Sequence, residues 1–158
     1  MTQAKSVVIR PFDDKDRDAC SVLLNDLIEW FGIPAANASY INSLGRLASA
    51  VAQIDGRICG FAAVEFHSSL SAELSVIAVD RDQHHHGIGS QLLKWAEDYC
   101  HARGAVWFHV KTRGPSTPDP DYEKTRMFYL SRGFAELFES LDLWGPQDAA
   151  LIMVKKLD

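Results

Sequence analysis

The chain has 158 residues, 47% apolar and 23% charged, with a net charge of −5, which describes one ordinary globular domain able to bury a core of its own. The acidic balance argues against nucleic acid or an anionic membrane as the main partner, and no apolar run approaches the roughly 20 residues of a membrane helix. Cys20, Cys59 and Cys100 are odd in number and fit no CxxC or zinc spacing, so they read as reduced structural thiols. With a polar Met1–Lys5 where a signal peptide would start, the expectation is a cytoplasmic protein.

In chain order, residues 6–12 are β-branched and closed by Pro11, a short strand. Asp13 or Asp14 caps a predicted helix running to about Phe31, with Ala19, Val22, Leu23, Leu27, Trp30 and Phe31 at helical spacing. Residues 34–43 read as a loop or a short second helix. A three-stranded meander follows: residues 46–53, a hairpin turn at Asp55-Gly56, residues 57–66, a turn at 68–71, and residues 73–79. A helix over 87–103 buries Ile88, Leu92, Leu93, Trp95, Ala96 and Tyr99 and stops at Gly104. It makes a right-handed crossover to a parallel strand at 105–111. After a loop with three prolines, residues 121–131 are helical, and 134–143 and 150–157 are the last strands. The order predicts an α/β fold, a mixed and mostly antiparallel sheet of six to seven strands with helices on both faces.

The turn from residue 80 to 90 carries most chemical meaning. An apolar strand runs into His84-His85-His86-Gly87-Ile88-Gly89-Ser90 and then an amphipathic helix. Glycines let backbone approach a ligand, and the helix start presents N–H groups to an anion, so a phosphate-bearing guest fits. The three adjacent histidines point in diverging directions, with no carboxylate or cysteine at ligand spacing, so no metal is expected there.

Two separated stretches resemble the GNAT (Gcn5-related N-acetyltransferase) superfamily. One is Ala72-Glu73-Leu74-Ser75-Val76-Ile77-Ala78-Val79 followed by His84-x-x-Gly87-x-Gly89; the other is Phe128-Tyr129-Leu130-Ser131-Arg132-Gly133-Phe134, similar to that family's FYxxxGF signature. The resemblance implies a single GNAT domain over residues 1–158, with a splayed central strand pair. It also implies acetyl-CoA as co-substrate. Pantetheine would contact the main chain of Ile77 and Val79, and pyrophosphate would sit on His84, His85, His86, Gly87, Ile88, Gly89 and Ser90. The family usually has Gln or Arg where this chain has His84, and a neutral imidazole offers one hydrogen bond where Arg offers charge and a fork.

Acetyl transfer to an amine requires a base for the ammonium, a donor for the oxyanion and an acid for the CoA thiolate. The resemblance implies Glu73 as base, acting through a water, with a solvated strand-end carboxylate as its plain alternative. Tyr129 is the candidate acid, since a phenol with pKa near 10 stays protonated at neutral pH. The backbone N–H near Val79 is the implied oxyanion donor. Tyr122 reads as a helix-start residue or a substrate contact, and the acids at 13–14 and 119–123 as caps or an attraction for a cationic amine. His67, His101 and His109 suggest no role. The function expected is transfer of an acetyl group to a primary amine of a small molecule in one sequential step, no cysteine standing in either motif. A protein or peptide N-acetyltransferase and a non-catalytic acyl-CoA-binding module are the alternatives, and a homodimer is a further possibility carried by the resemblance.

Overall fold

The computed structural model describes residues 5–158; residues 1–4 of the polar N-terminal stretch lie outside the described residues. Seven strands form one sheet in the order β1-β2-β3-β4-β5-β7-β6. They are β1 (Val7–Pro11), β2 (Ala48–Ile54), β3 (Arg57–Phe66), β4 (Ser71–Val79), β5 (Trp107–Arg113), β6 (Ala135–Ser140) and β7 (Ala150–Lys156). The helices are α1 (Arg17–Asp26), α2 (Pro34–Ser43), α3 (Ile88–Ala102) and α4 (Pro120–Ser131). β4 and β5 run parallel, while β1 with β2, β2 with β3, β5 with β7 and β6 with β7 are antiparallel. This is the α/β fold with a mixed, mostly antiparallel sheet that the residue pattern predicted. The chain divides into two compact units, one reaching to Glu65 and including Leu74–Tyr99, the other made of Phe66–Glu73 and Cys100–Asp158.

In the first unit, Cys20, Leu23, Leu24 and Leu27 pack with Ile41 and Leu44 on Val51, Phe61, Ala63, Val76 and Ala78. Each large side chain so buried stabilises the fold by roughly 1.5–3 kcal/mol. The hairpin turn has positive φ at both Asp55 (51°) and Gly56 (77°), the backbone that lets two strands meet with their native twist. The acids before α1 are structural: Asp13 and Asp16 form a capping box, and Arg10 grips both oxygens of Asp16 at 2.8 and 2.7 Å. The helix predicted to reach Phe31 ends at Asp26 instead. Arg81 from a distant turn donates to the Asp26 carbonyl (2.9 Å) and pairs with the Asp26 and Glu29 carboxylates, which satisfies the helix end and releases the chain into a turn.

In the second unit, β5, β7 and β6 lie side by side, with Phe108, Tyr129 and Phe134 in an aromatic cluster. Gly104 (φ 93°) and Ala105 donate to the His101 and Cys100 carbonyls, which closes α3 after Ala102. Val106 and Trp107 then both donate to the Leu70 carbonyl, and β5 begins at Trp107 rather than at Ala105. Arg113 holds the loop that follows, pairing with Asp119 (3.1 Å) and Asp148 (2.6 Å) and lying over the Tyr122 ring. Asp119 also caps α4, so the acidic run there is a capping arrangement.

Candidate active site

Two places carry chemistry, one in each unit. The first is the turn that closes β4. Ile77 and Val79 alternate with the buried Val76 and Ala78, so they form the less buried face of the strand. Asp80 caps a single 3-10 turn, Arg81–Gln83, and the chain then reaches the glycines. His85 (φ 66°) and Gly87 (φ 81°) both adopt left-handed backbone, where a histidine is tolerated and a glycine is at ease. A Cβ built on Gly87 meets nothing within 4 Å, so conformation rather than crowding demands glycine, and the space beside it is open. The ladder of α3 begins with Gln91 donating to the Gly87 carbonyl (3.1 Å), so the glycine turn runs directly into the first turn of the helix. α3 is held close at Gly60, where a Cβ would stand 3.0 Å from the Ala78 carbonyl and 3.1 Å from Leu92.

The imidazole of His84 is not turned outward as a phosphate contact. Its Nε2 lies 2.8 Å from the Val79 carbonyl, to which it donates, and the ring meets Trp30 edge-on at 5.5 Å. Its side chain braces the strand end, and its backbone N–H donates to the Arg81 carbonyl (3.2 Å), closing the 3-10 turn. His85 and His86 are exposed, with Gln83 3.3 Å from His86.

The second place surrounds Glu73. β4 and β5 pair in register only at Ser71–Trp107, Ala72–Phe108 and Glu73–His109, although the strands are nine and seven residues long. Glu73 is therefore the last paired residue, and it is buried, at 7% exposure. His67 follows β3 and donates its backbone N–H to the Ser71 carbonyl (3.0 Å), a tight turn that brings its ring over Glu73. His67 Nε2 lies 2.7 Å from Glu73 Oε1, His109 Nε2 3.6 Å from the same oxygen, and Lys111 Nζ 3.4 Å from Oε2. His109 and Lys111 are two apart on β5 and so share a face. Burial alone would raise the Glu73 pKa; the two imidazoles and the Lys111 ammonium outweigh it and hold the carboxyl at about 2. The group is an anion at every working pH.

His67, Glu73 and His109 each offer one ligand atom, all within 4.8 Å of one another. The Lys111 ammonium already supplies the counter-charge to that carboxylate, and a cation placed there would have to displace it. His67, His109 and Lys111 were missed in the sequence. The alternation of His109 and Lys111 was visible, but only the strand register sets it opposite Glu73.

Tyr129 is enclosed on α4, at 3% exposure, with the Phe128 and Phe134 rings each 5.3 Å away. Burial pushes its phenol pKa up, with a smaller contribution from Tyr122. All three cysteines are buried and free, and burial raises the Cys20 and Cys100 thiols to about 12. No helix among the described residues is long and apolar enough to cross a membrane.

Residues 46–136 match the family model described as "Acetyltransferase (GNAT) domain". Curated proteins give no match. Among solved structures, the chain is similar to a GNAT-family protein from Desulfovibrio desulfuricans, with a TM-score of 0.84, 18% identity, and 97% and 100% of the two chains covered. It is also similar to the ribosomal-protein-S18-alanine N-acetyltransferase of Escherichia coli, with a TM-score of 0.77, 21% identity, and 97% and 95% covered. An aminoglycoside 6′-N-acetyltransferase complexed with coenzyme A gives a TM-score of 0.77, 16% identity, and 96% and 97% covered. At these identities the structural likenesses establish the fold, and the match to the family model, which spans more than half of the chain and includes both Glu73 and Tyr129, establishes descent: the chain belongs to the GNAT acetyltransferase family.

Proposed function

We propose that residues 1–158 act as one domain that moves an acetyl group from acetyl-CoA to a primary amine of a small molecule by direct transfer. The observation that carries this reading is the buried, ionised Glu73 ringed by His67, His109 and Lys111, a cluster of polar side chains through which an ammonium can pass its proton. The left-handed backbone at His85 and Gly87 and the open space beside Gly87 fit a pyrophosphate. In this reading the turn from His84 to Ser90 holds that pyrophosphate, and the main chain of Ile77 and Val79 pairs with the pantetheine arm. Acetyl-CoA supplies an acyl carbon activated by a thiolate leaving group.

Glu73 keeps the proton-accepting route anionic, and Tyr129, protonated throughout the working pH range, donates to the departing sulfur. Direct transfer is supported by the cysteines: buried thiols with raised pKa values are poor nucleophiles, so no acyl-enzyme is expected. The net charge of −5 suits a cationic acceptor. The test is a panel of amines and peptides with a thiol-release readout. Turnover with small amines is expected, and Tyr129→Phe should lower it at least ~10-fold with little change in CoA affinity. Turnover with peptides alone would replace the small-molecule reading, and CoA binding without any turnover would leave an acyl-CoA-binding module.

A further inference from the structure

Glu73 has a difficulty as the atom that receives the proton. An ordinary alkyl ammonium has a pKa near 10, and a carboxylate held at about 2 lies far below it, so direct transfer to that oxygen is steeply uphill. An imidazole nitrogen is by its chemistry a far better proton acceptor than such a carboxylate. Two imidazoles touch Glu73, and geometry separates them. His67 is nearer, at 2.7 Å against 3.6 Å for His109, and its side chain is the more open, at 42% against 22% exposure.

The tautomer follows from the charge. An ionised carboxylate only accepts hydrogen bonds, so His67 Nε2 must carry the hydrogen that points at Glu73 Oε1. In neutral His67 the lone pair is then on Nδ1, for which the described residues offer no partner. Glu73 from β4 and His109 from β5 face this ring, the His67 and His109 rings being 5.4 Å apart, and Lys111 from β5 reaches the group through Glu73. Lys111 on the second oxygen of Glu73 balances the anion, and Glu73 steadies the imidazolium once it forms.

We propose that Nδ1 of His67 is the proton acceptor of the acetyl transfer, with Glu73 a positioning residue that fixes its tautomer. This rests on the amine-acetylation reading given above. The ammonium gives one proton to Nδ1, and its freed electron pair forms the C–N bond to the acetyl carbon. The carbonyl π pair moves to oxygen and returns as the C–S bond breaks. The sulfur leaves as thiolate and takes a proton from Tyr129. The nitrogen's second proton goes to solvent or back to the phenolate, so the net reaction releases one proton.

The experiment compares the pH dependence of kcat/KM in the wild type, His67→Gln and His67→Ala, using the best amine from the panel. Gln can keep a hydrogen bond to Glu73 but has no basic nitrogen, so a purely structural His67 would survive that change. The expected result is a fall of ~10²-fold or more in both variants, an altered pH profile, and partial rescue of His67→Ala by added imidazole. Circular dichroism checks that both fold, and nitrogen-15 spectra of the wild-type histidines should show His67 protonated at Nε2. An active wild type with His67→Gln within threefold of it, or an Nδ1-protonated His67, overturns this proposal alone. A wild type that binds CoA and acetylates no amine overturns the amine reading, and the acceptor role with it.

Discussion

The turn at residues 80–90 and the cluster around Glu73 solve opposite problems. In the proposed reading the turn serves a ligand with backbone: left-handed φ at His85 and Gly87, while the most conspicuous side chain, His84, faces back onto Val79. The cluster would serve a proton with side chains from three separate segments, at 67, 73 and 109–111. A backbone site tolerates exchange of its side chains but not of its conformation. A side-chain site is the reverse. That difference makes them separable by mutation.

The largest effect should come from the cluster. Glu73→Gln keeps the volume and removes the charge, so kcat is expected to fall ~10²–10⁴-fold with the KM for acetyl-CoA nearly unchanged. A matching rise in that KM in steady-state assays would mean that the two places are not independent. Next is acid stability. The Glu73 carboxyl is held at about 2, below its unfolded value, so it stabilises the fold above pH ~4.5 and that contribution disappears as the pH falls toward 2. It amounts to roughly 3 kcal/mol, and urea unfolding from pH 6 to 2 should lose that much more stability in the wild type than in Glu73→Gln. Asp16, held low by Arg10, has the same sign and remains in both proteins, so the variant keeps some acid sensitivity.

The turn should give smaller effects of a different kind. Gly87→Val puts a branched residue at φ 81° with no clash to relieve, at a cost of about 1–2 kcal/mol. Acetyl-CoA affinity should weaken ~5–30-fold by calorimetry, while the pH profile of turnover at saturating acetyl-CoA keeps its shape. A shifted profile would break the separation. The smallest effect belongs to the exposed His85 and His86. Their double change to Gln should alter CoA affinity by no more than ~2–5-fold in calorimetry; a larger loss would show that side chains as well as backbone do the binding.

Much of this was legible in the residues. The Asp55-Gly56 hairpin, the meander, the glycine turn and the Phe128-Tyr129 helix were each marked locally, because hairpin twist, left-handed backbone and helix ends restrict which residues can stand there. The early end of α1 was hidden, since it depends on Arg81 arriving from another segment. The two-residue shift of β5 likewise depends on the Leu70 carbonyl. Asp13, Asp14 and Asp119 had an open reading as a lure for cations, and their bonds make them caps and ion-pair partners.

The sequence by itself determined the family, the sheet and the glycine turn, since these rest on short-range rules of spacing and backbone conformation. Only the tertiary structure decided that His84 braces Val79 and that His67, His109 and Lys111 gather on Glu73. The reason is that pKa and tautomer depend on neighbours within a few ångströms, and strand register and a tight turn supply neighbours that are far apart in the chain.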